Sequence, residues 1–510
     1  MPPSELANAA IATQAAAWLR RTFSLDLRSL AAFRAAIGTI VAADAVLRSR
    51  DVSLMFSPDG MFPLAALRQY LPSPCAWSAA TLVEAGWCGP AILIVEFAAG
   101  LFMAAGCGTR WATVAAWVAV VSVLRRTAPA TNAGDSWLAC LLFWGMFLPL
   151  GAAWSVDRHR ESGRARVFSA ASVALVLQIA VVYWSAGVAK WNATWLSGDA
   201  IRYVMSVHDH GTPCGEWLFG SGSLSRPLSW AVLAGELVGP MALLTLPTPS
   251  VRLALVAAFM LFHAAICLTM SVGLFGFVGL AAWLAVLPAE AWDRLAAGSP
   301  DGPPPVVPHR WLSLGNGLCL AAGALAIASL AHDMAPSRTR PLPRWLTALV
   351  DIPCMHQEWR MFDEVRPQEQ WVYARGELAD GRLVDVLRGG RPLQTVRPDG
   401  GFTSLPHHRW HKLFWCLAGR GDAIPVRQAV ATALARDWNA RHDGQEQLSS
   451  LEIRVVRHGR TAADDTLQEA LLAAWPPRDA VGRGGLDRLL EDERLRATPG
   501  PGPDPPLGRP

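Results

Sequence analysis

The stretch "YWSAGVAKWNATWLSGD", residues 183–199, ends a long apolar run on a lysine, Lys190, with Trp184, Trp191 and Trp195 around it. A lysine there supports two readings. It can anchor a helix end, with its ammonium among lipid headgroups and the tryptophans as an interfacial belt. It can also serve as a base, because lysine, unlike arginine, readily gives up its proton. The small residues Ser185, Ala186 and Gly187 one turn earlier let a neighbouring helix pack closely. His263, in "LVAAFMLFHAAICLTM", is either a structural hydrogen-bonding group or an acid–base catalyst. Glu96 and Glu236 also lie in apolar runs and need partners there.

Other candidates are weaker. His208-Asp209-His210 alternate as chelating residues of an extended loop do, but no third ligand is placed beside them. No metal is therefore expected. His407, His408 and His411 lie beside Trp410 and Lys412 and read as polar side chains packed at the protein's surface. The chain has no phosphate loop, dinucleotide fingerprint or GxSxG elbow.

The elements that must position these residues are membrane helices. The chain is 52% hydrophobic, only 17% charged, and carries 23 tryptophans, which favours a lipid bilayer over water as its solvent. A formal charge of +4, spread along the chain, gives no reason to expect nucleic acid. Nine cysteines without a CxxC pair indicate neither a zinc site nor a disulfide framework. No cleavable leader is evident, so the first apolar helix is expected to stay.

Apolar runs of about the length that spans a bilayer lie near 29–47, 88–106, 111–124, 137–154, 168–190, 228–247, 251–270, 272–288 and 313–331. The expected fold is mainly α: a polytopic transmembrane bundle of eight or nine spans over 1–331. A smaller soluble α+β domain with β hairpins follows over 332–480, then a disordered tail over 481–510. Asp380-Gly381, between the alternating runs "WVYARGEL" and "RLVDVL", predicts a hairpin, and a helix is expected near 424–441.

Basic residues in short loops favour a cytoplasmic N-terminus, led by the dense stretch 158–166. Nine spans leave the C-terminal domain extracytoplasmic, and eight leave it inside. In this orientation "FSPDGMFP" (56–63), "TNAGDSW" (131–137) and "WNATWLSGDAIRYVMSVHDHGTP" (191–213) share the outer side, level with His263. The expected pocket comprises Lys190 and His263 with Tyr183, Trp191, Trp195, Asn132, Asp135, His208 and His210.

"AGVAKWNATWLSGD" resembles the hallmark segment of the vitamin K-dependent γ-carboxylases and their bacterial relatives, the horizontally transferred transmembrane (HTTM) domain proteins. "WSVD" (154–157) and "FHAAICLTMSVGLFGFV" (262–278) resemble two further motifs of that family, and "EWRMF…WVYARGELADGRLVDV" with "HRWHKLF" is similar to the domain that follows in the bacterial proteins. The resemblance covers about residues 25–420. It implies a reduced vitamin K-type quinone as cofactor, Lys190 as the base that deprotonates it, and His263 assisting. Two positions depart from the animal enzymes. Ala189 replaces the first lysine of a pair, and Gly134 stands where they have the histidine linked to carbon dioxide addition. Proton abstraction is therefore expected ahead of carboxylation. The alternative implied by some relatives is a non-enzymatic membrane protein that exports, matures or confers immunity to a secreted peptide. No repeat between halves points to a transporter.

Overall fold

The computed structural model describes residues 3–71, 77–81, 85–157, 165–207, 210–220, 222–295, 306–307, 313–334, 343–399, 401–419, 423–459 and 465–477. The chain clusters into two units, Met1–Pro58 with Leu71–Arg366, and Asp59–Tyr70 with Pro367–Pro510. The segment just after residue 331, where composition changes, thus clusters with the helical unit.

The first unit is helical: α1 (Pro3–Phe23), α2 (Leu27–Ser49), α3 (Cys88–Ala105), α4 (Thr109–Arg126), α5 (Ala133–Gly145), α6 (Ala170–Ala189), α7 (Gly222–Thr245), α8 (Pro249–Thr269), α9 (Phe275–Ala285), α10 (Ala289–Leu295) and α11 (Leu314–Met334), with short helices between. Among the described residues six of them, α2, α3, α6, α7, α8 and α11, are long and apolar enough to cross a membrane. The pair α9 and α10, bent by 88°, makes a seventh if it is one span. This differs from the eight or nine expected, for identifiable reasons. The run 137–154 forms only α5, whose 13 residues reach roughly 20 Å against a hydrocarbon core of about 30 Å. The run 111–124 is bracketed in α4 by Arg110, Arg125 and Arg126, and Arg126 is buried, donating to the carbonyls of Phe56 and Ser57.

Helix starts follow the local sequence. Ser169 and Ser172 form a reciprocal capping box at α6, Asn132 and Asp135 another at α5, and Thr248 caps α8 ahead of Pro249. The α2–α3 contact is a small-residue seam. A Cβ on Gly38 would come 2.5 Å from the Ala104 nitrogen, and one on Gly100 2.6 Å from the Ala42 nitrogen. Gly38/Ala42 and Gly100/Ala104 are each four apart, the small-xxx-small spacing that lets helix backbones touch. Gly187 does the same for α6 on α7, where a Cβ would lie 3.1 Å from Glu236 Cβ. A miniature sheet joins β1 (Leu25–Asp26) antiparallel to β2 (Arg166–Val167), which runs parallel to β3 (Val306–Val307).

The segment after α11 is tied in by buried side chains. Gln357 accepts from Trp359 Nε1 (2.6 Å) and from Gln178 Nε2 (2.9 Å) on α6, and Gln178 in turn accepts from Trp144 Nε1 (3.3 Å).

The second unit holds an antiparallel five-stranded sheet in the order β6 (Arg391–Pro392), β5 (Leu383–Asp385), β4 (Gln368–Leu378), β7 (Leu448–Gly459), β8 (Leu467–Trp475). Helix α13 (Ile424–Arg441), preceded by α12 (His408–Gly419), packs on β7 and β8. Asp380-Gly381 turns β4 into β5 with Gly381 at φ 86°, the left-handed conformation the turn requires. The predicted hairpin and the predicted helix are both present. Residues 481–510, expected to form the tail, lie outside the described residues.

Candidate functional site

The site lies in the first unit and is built on α6, whose inward face carries Tyr183 and, seven residues later, the helix-ending Lys190. That spacing returns to the same face after about two turns, roughly 10 Å along the axis. Lys190 is 2% exposed. Its Nζ donates to both carboxylate oxygens of Glu236 on α7, at 2.8 and 3.1 Å, and lies 5.3 Å from the centre of the Trp195 ring. The close α6–α7 approach at Gly187 brings the carboxylate within reach. The headgroup-anchor reading is therefore excluded by geometry: this ammonium points into protein and is paired.

The chain turns sharply after Lys190. Asn192 caps a short helix, Ala193–Ser197, by accepting from the Trp195 nitrogen, and donates through Nδ2 to the Asp363 carbonyl at 2.8 Å. Trp195 is buried and its Nε1 donates to the Phe362 carbonyl at 2.8 Å. Trp191, by contrast, is 65% exposed.

Two turns back lies an aromatic box around His263, which is fully buried on α8. Its Nε2 is 2.5 Å from the Tyr183 hydroxyl, which also accepts from Trp283 Nε1 at 2.7 Å. Trp137, Phe262 and Phe275 surround the imidazole at centroid distances of 6.0, 5.2 and 5.7 Å. A side chain at Gly279 would collide with it, since a Cβ would fall 2.2–2.4 Å from Cε1, Nδ1 and Nε2. The glycine is what lets the ring lie against α9. His263 Nδ1 is buried with no hydrogen-bond partner among the described residues.

The structure thus gathers Lys190 with Trp195, and Tyr183 with His263, into two buried clusters about two turns apart along α6. Asn132 and Asp135 stand apart from these clusters in their bonding. They cap α5, and Asp135 is also ion-paired to buried Arg48 at 3.0 Å, with Asp44 on the same guanidinium at 2.7 Å. Gly134 between them packs on the backbone of Phe275, where a Cβ would lie 2.9 Å from Cα. His210 contributes backbone: its carbonyl accepts from Ser271 at 2.7 Å, and its ring meets Phe362 edge-on. His208 lies outside the described residues. No group of three His, Cys, Asp or Glu among the described residues is arranged to hold a metal.

Glu236 was visible in the sequence as a carboxylate needing a partner, but not as the partner of Lys190, 46 residues away. Trp283 gave no signal, because a tryptophan in an apolar run looks like core. The "WSVD" motif proves to be a clamp. Asp157 accepts from the backbone nitrogens of Gly108 and Thr109 and from the Thr109 hydroxyl (2.7–2.9 Å), capping α4, and these bonds hold its carboxyl below the usual carboxylate range.

A family model of the HTTM domain matches residues 24–292, a stretch that contains both clusters. Neither the curated proteins nor the solved structures gave a match.

Proposed function

The chain belongs to the HTTM domain family and is a multi-pass integral membrane protein; from that premise we propose that it is an enzyme that deprotonates and oxygenates a reduced vitamin K-type quinone. The observation that carries the proposal is the buried Lys190–Glu236 pair at the end of α6. Ionisable groups within membrane helices are costly and are kept where protons or charge are handled.

The residues fit such a group. The box around His263 is lined by flat rings and contains two buried polar atoms, His263 Nδ1 and Trp137 Nε1, without a partner among the described residues. A bound hydroquinone supplies an acidic hydroxyl and the electrons that oxygen takes up. The protein's part is the proton. Lys190 passes a proton from Nζ to Glu236 Oε2 across 2.8 Å, which leaves a neutral amine. Nζ then takes up the incoming proton, and the ammonium so formed balances the negative charge left behind in the site. His263 assists from two turns away, and the surrounding aromatic rings keep water from both clusters.

Glutamate carboxylation is left out of the proposal. The position of the animal enzymes' carbon dioxide histidine is Gly134, which packs too tightly on Phe275 to carry any side chain. The basic residues of the short loops support a cytoplasmic N-terminus with the Lys190 end outward.

The test is direct. Purified protein in lipid nanodiscs receives a reduced naphthoquinone and oxygen, and the epoxide is measured by mass spectrometry. Wild type is expected to form it, and Lys190→Ala to remain at background. Epoxide no higher in wild type than in Lys190→Ala defeats the proposal. Labelled bicarbonate offered with a glutamyl peptide is expected to give no incorporation. Incorporation would instead extend the activity to carboxylation.

A further inference from the structure

The hydrogen bonds around Tyr183 fix which nitrogen of His263 carries its proton. Trp283 Nε1 can only donate, so at 2.7 Å the Tyr183 oxygen is its acceptor. The phenol still has one hydrogen of its own to place. Its remaining polar neighbour is His263 Nε2 at 2.5 Å. If Nε2 also carried hydrogen, two N–H groups would converge on the phenol oxygen, and the hydroxyl hydrogen would face nothing. That arrangement leaves two buried polar groups unmet, the hydroxyl hydrogen and the Nδ1 lone pair, whereas the alternative leaves only one. The consistent arrangement runs one way, from Trp283 N–H to Tyr183 O–H to His263 Nε2. A neutral ring then holds its proton on Nδ1.

That leaves Nδ1–H as a buried donor with no partner among the described residues, in a pocket of aromatic rings. Gly279 and the rings of Trp137 and Phe275 leave the imidazole little room to turn over. Fixed donors of this kind, in surroundings shielded from water, are how proteins stabilise oxygen atoms that gain negative charge. We propose that Tyr183 and Trp283 are positioning residues that hold His263 with its proton on Nδ1, and that Nδ1–H donates to a negatively charged oxygen bound in the site. Identifying that oxygen as one of the reduced quinone's rests on the function proposed above; the proton's location does not.

The experiment reads the proton without turnover. Full-length protein labelled with ¹⁵N-histidine in lipid nanodiscs is studied by solid-state NMR, with the His263 signals assigned by their loss in His263→Gln. Wild type is expected to show a protonated Nδ1 and an unprotonated, hydrogen-bonded Nε2. Tyr183→Phe should shift the Nε2 resonance, and Trp283→Phe, which keeps the hydroxyl, should shift it less. Reduced 2-methyl-1,4-naphthoquinone, added without oxygen at a concentration that co-purifies with the protein, should move the Nδ1 resonance. In the epoxide assay Tyr183→Phe should lower turnover roughly tenfold, more than it alters KM. A protonated Nε2 in wild type overturns the proposal whatever the turnover, and an Nδ1 signal unmoved by bound quinone overturns the donor role. The expected tautomer with no epoxide formed counts against the oxygenase reading and leaves the positioning role standing.

Discussion

Arg34 and Lys190 are both cations buried inside membrane helices, each 2% exposed, yet they are satisfied in opposite ways. Among the described residues the Arg34 guanidinium on α2 donates to backbone carbonyls only: Trp154 at 2.6 Å, Ala153 at 3.3 Å, Leu150 at 3.4 Å and Ala104 at 3.5 Å. It staples the end of α3 to the loop after α5 and holds Trp154 at a φ of 47°, a conformation a bulky residue seldom adopts unaided. Lys190 instead has one carboxylate, on one neighbouring helix. Arginine effectively never loses its proton, so its forked donors suit permanent structure, whereas a lysine paired with a single carboxylate can exchange a proton with it. The contrast separates buried charge used for architecture from buried charge available for chemistry.

The largest expected effect is on the architectural side. Arg34→Leu takes the donor from four carbonyls, two of them in fully buried bonds, at roughly 1–3 kcal/mol for each one left buried, a large part of the stability of a typical domain. The variant should fail to accumulate in membranes, as measured by fluorescence-detected chromatography of solubilised cells. Arg34→Lys should rescue it only in part, because one ammonium cannot span the four carbonyls. A fully folded Arg34→Leu would dissolve the contrast.

A smaller stability effect, with complete loss of activity, is expected at the other cation. Lys190→Met strands the Glu236 carboxylate, and breaking a buried pair from one side costs about 3–5 kcal/mol. Adding Glu236→Gln removes the stranded charge, so the double variant should melt close to wild type while forming no epoxide. Glu236→Gln alone keeps a hydrogen-bond acceptor for Nζ but cannot take its proton and leaves the buried ammonium uncompensated, so it should lose activity and melt lower than the double variant. Should the double variant melt no better than Lys190→Met, the two side chains are not energetically coupled. Should Glu236→Gln keep full turnover, the proton does not pass through the carboxylate.

How far these roles could be read in the sequence depends on how local their causes are. The hairpin at Asp380-Gly381 and the helix 424–441 were legible because turn chemistry and periodicity act over a few residues. Lys190 stood out through the small residues one turn before it and the family motif around it, since a lysine ending an apolar run is common in itself. Its pairing with Glu236 was hidden, since that depends on α6 and α7 touching at Gly187. The Trp283–Tyr183 bond joins residues 100 apart and was equally invisible. Asn132 and Asp135 looked like pocket residues because a polar cluster between apolar runs resembles a site, and a capping box with an Arg48 partner explains the same cluster. The count of spans is not confirmed at α4 and α5, where apolar length was read without the helix ends.

The smallest effect sharpens the architectural half of the comparison. Asp157 binds α4's first nitrogens in the loop that Arg34 also holds, and the Thr109 and Gly108 nitrogens keep its carboxyl below its ordinary 3.8. A carboxyl with a lowered folded-state pKa adds stability that is fully present above the unfolded value. That stability is lost as pH falls through the folded value. Wild type should therefore lose melting temperature between about pH 5 and pH 3 relative to Asp157→Asn, which cannot titrate. The difference should be modest, because the side chain is exposed to solvent that screens it. A difference independent of pH would mean that Asp157 acts through shape alone, and that the charge belonging to this clamp resides in Arg34.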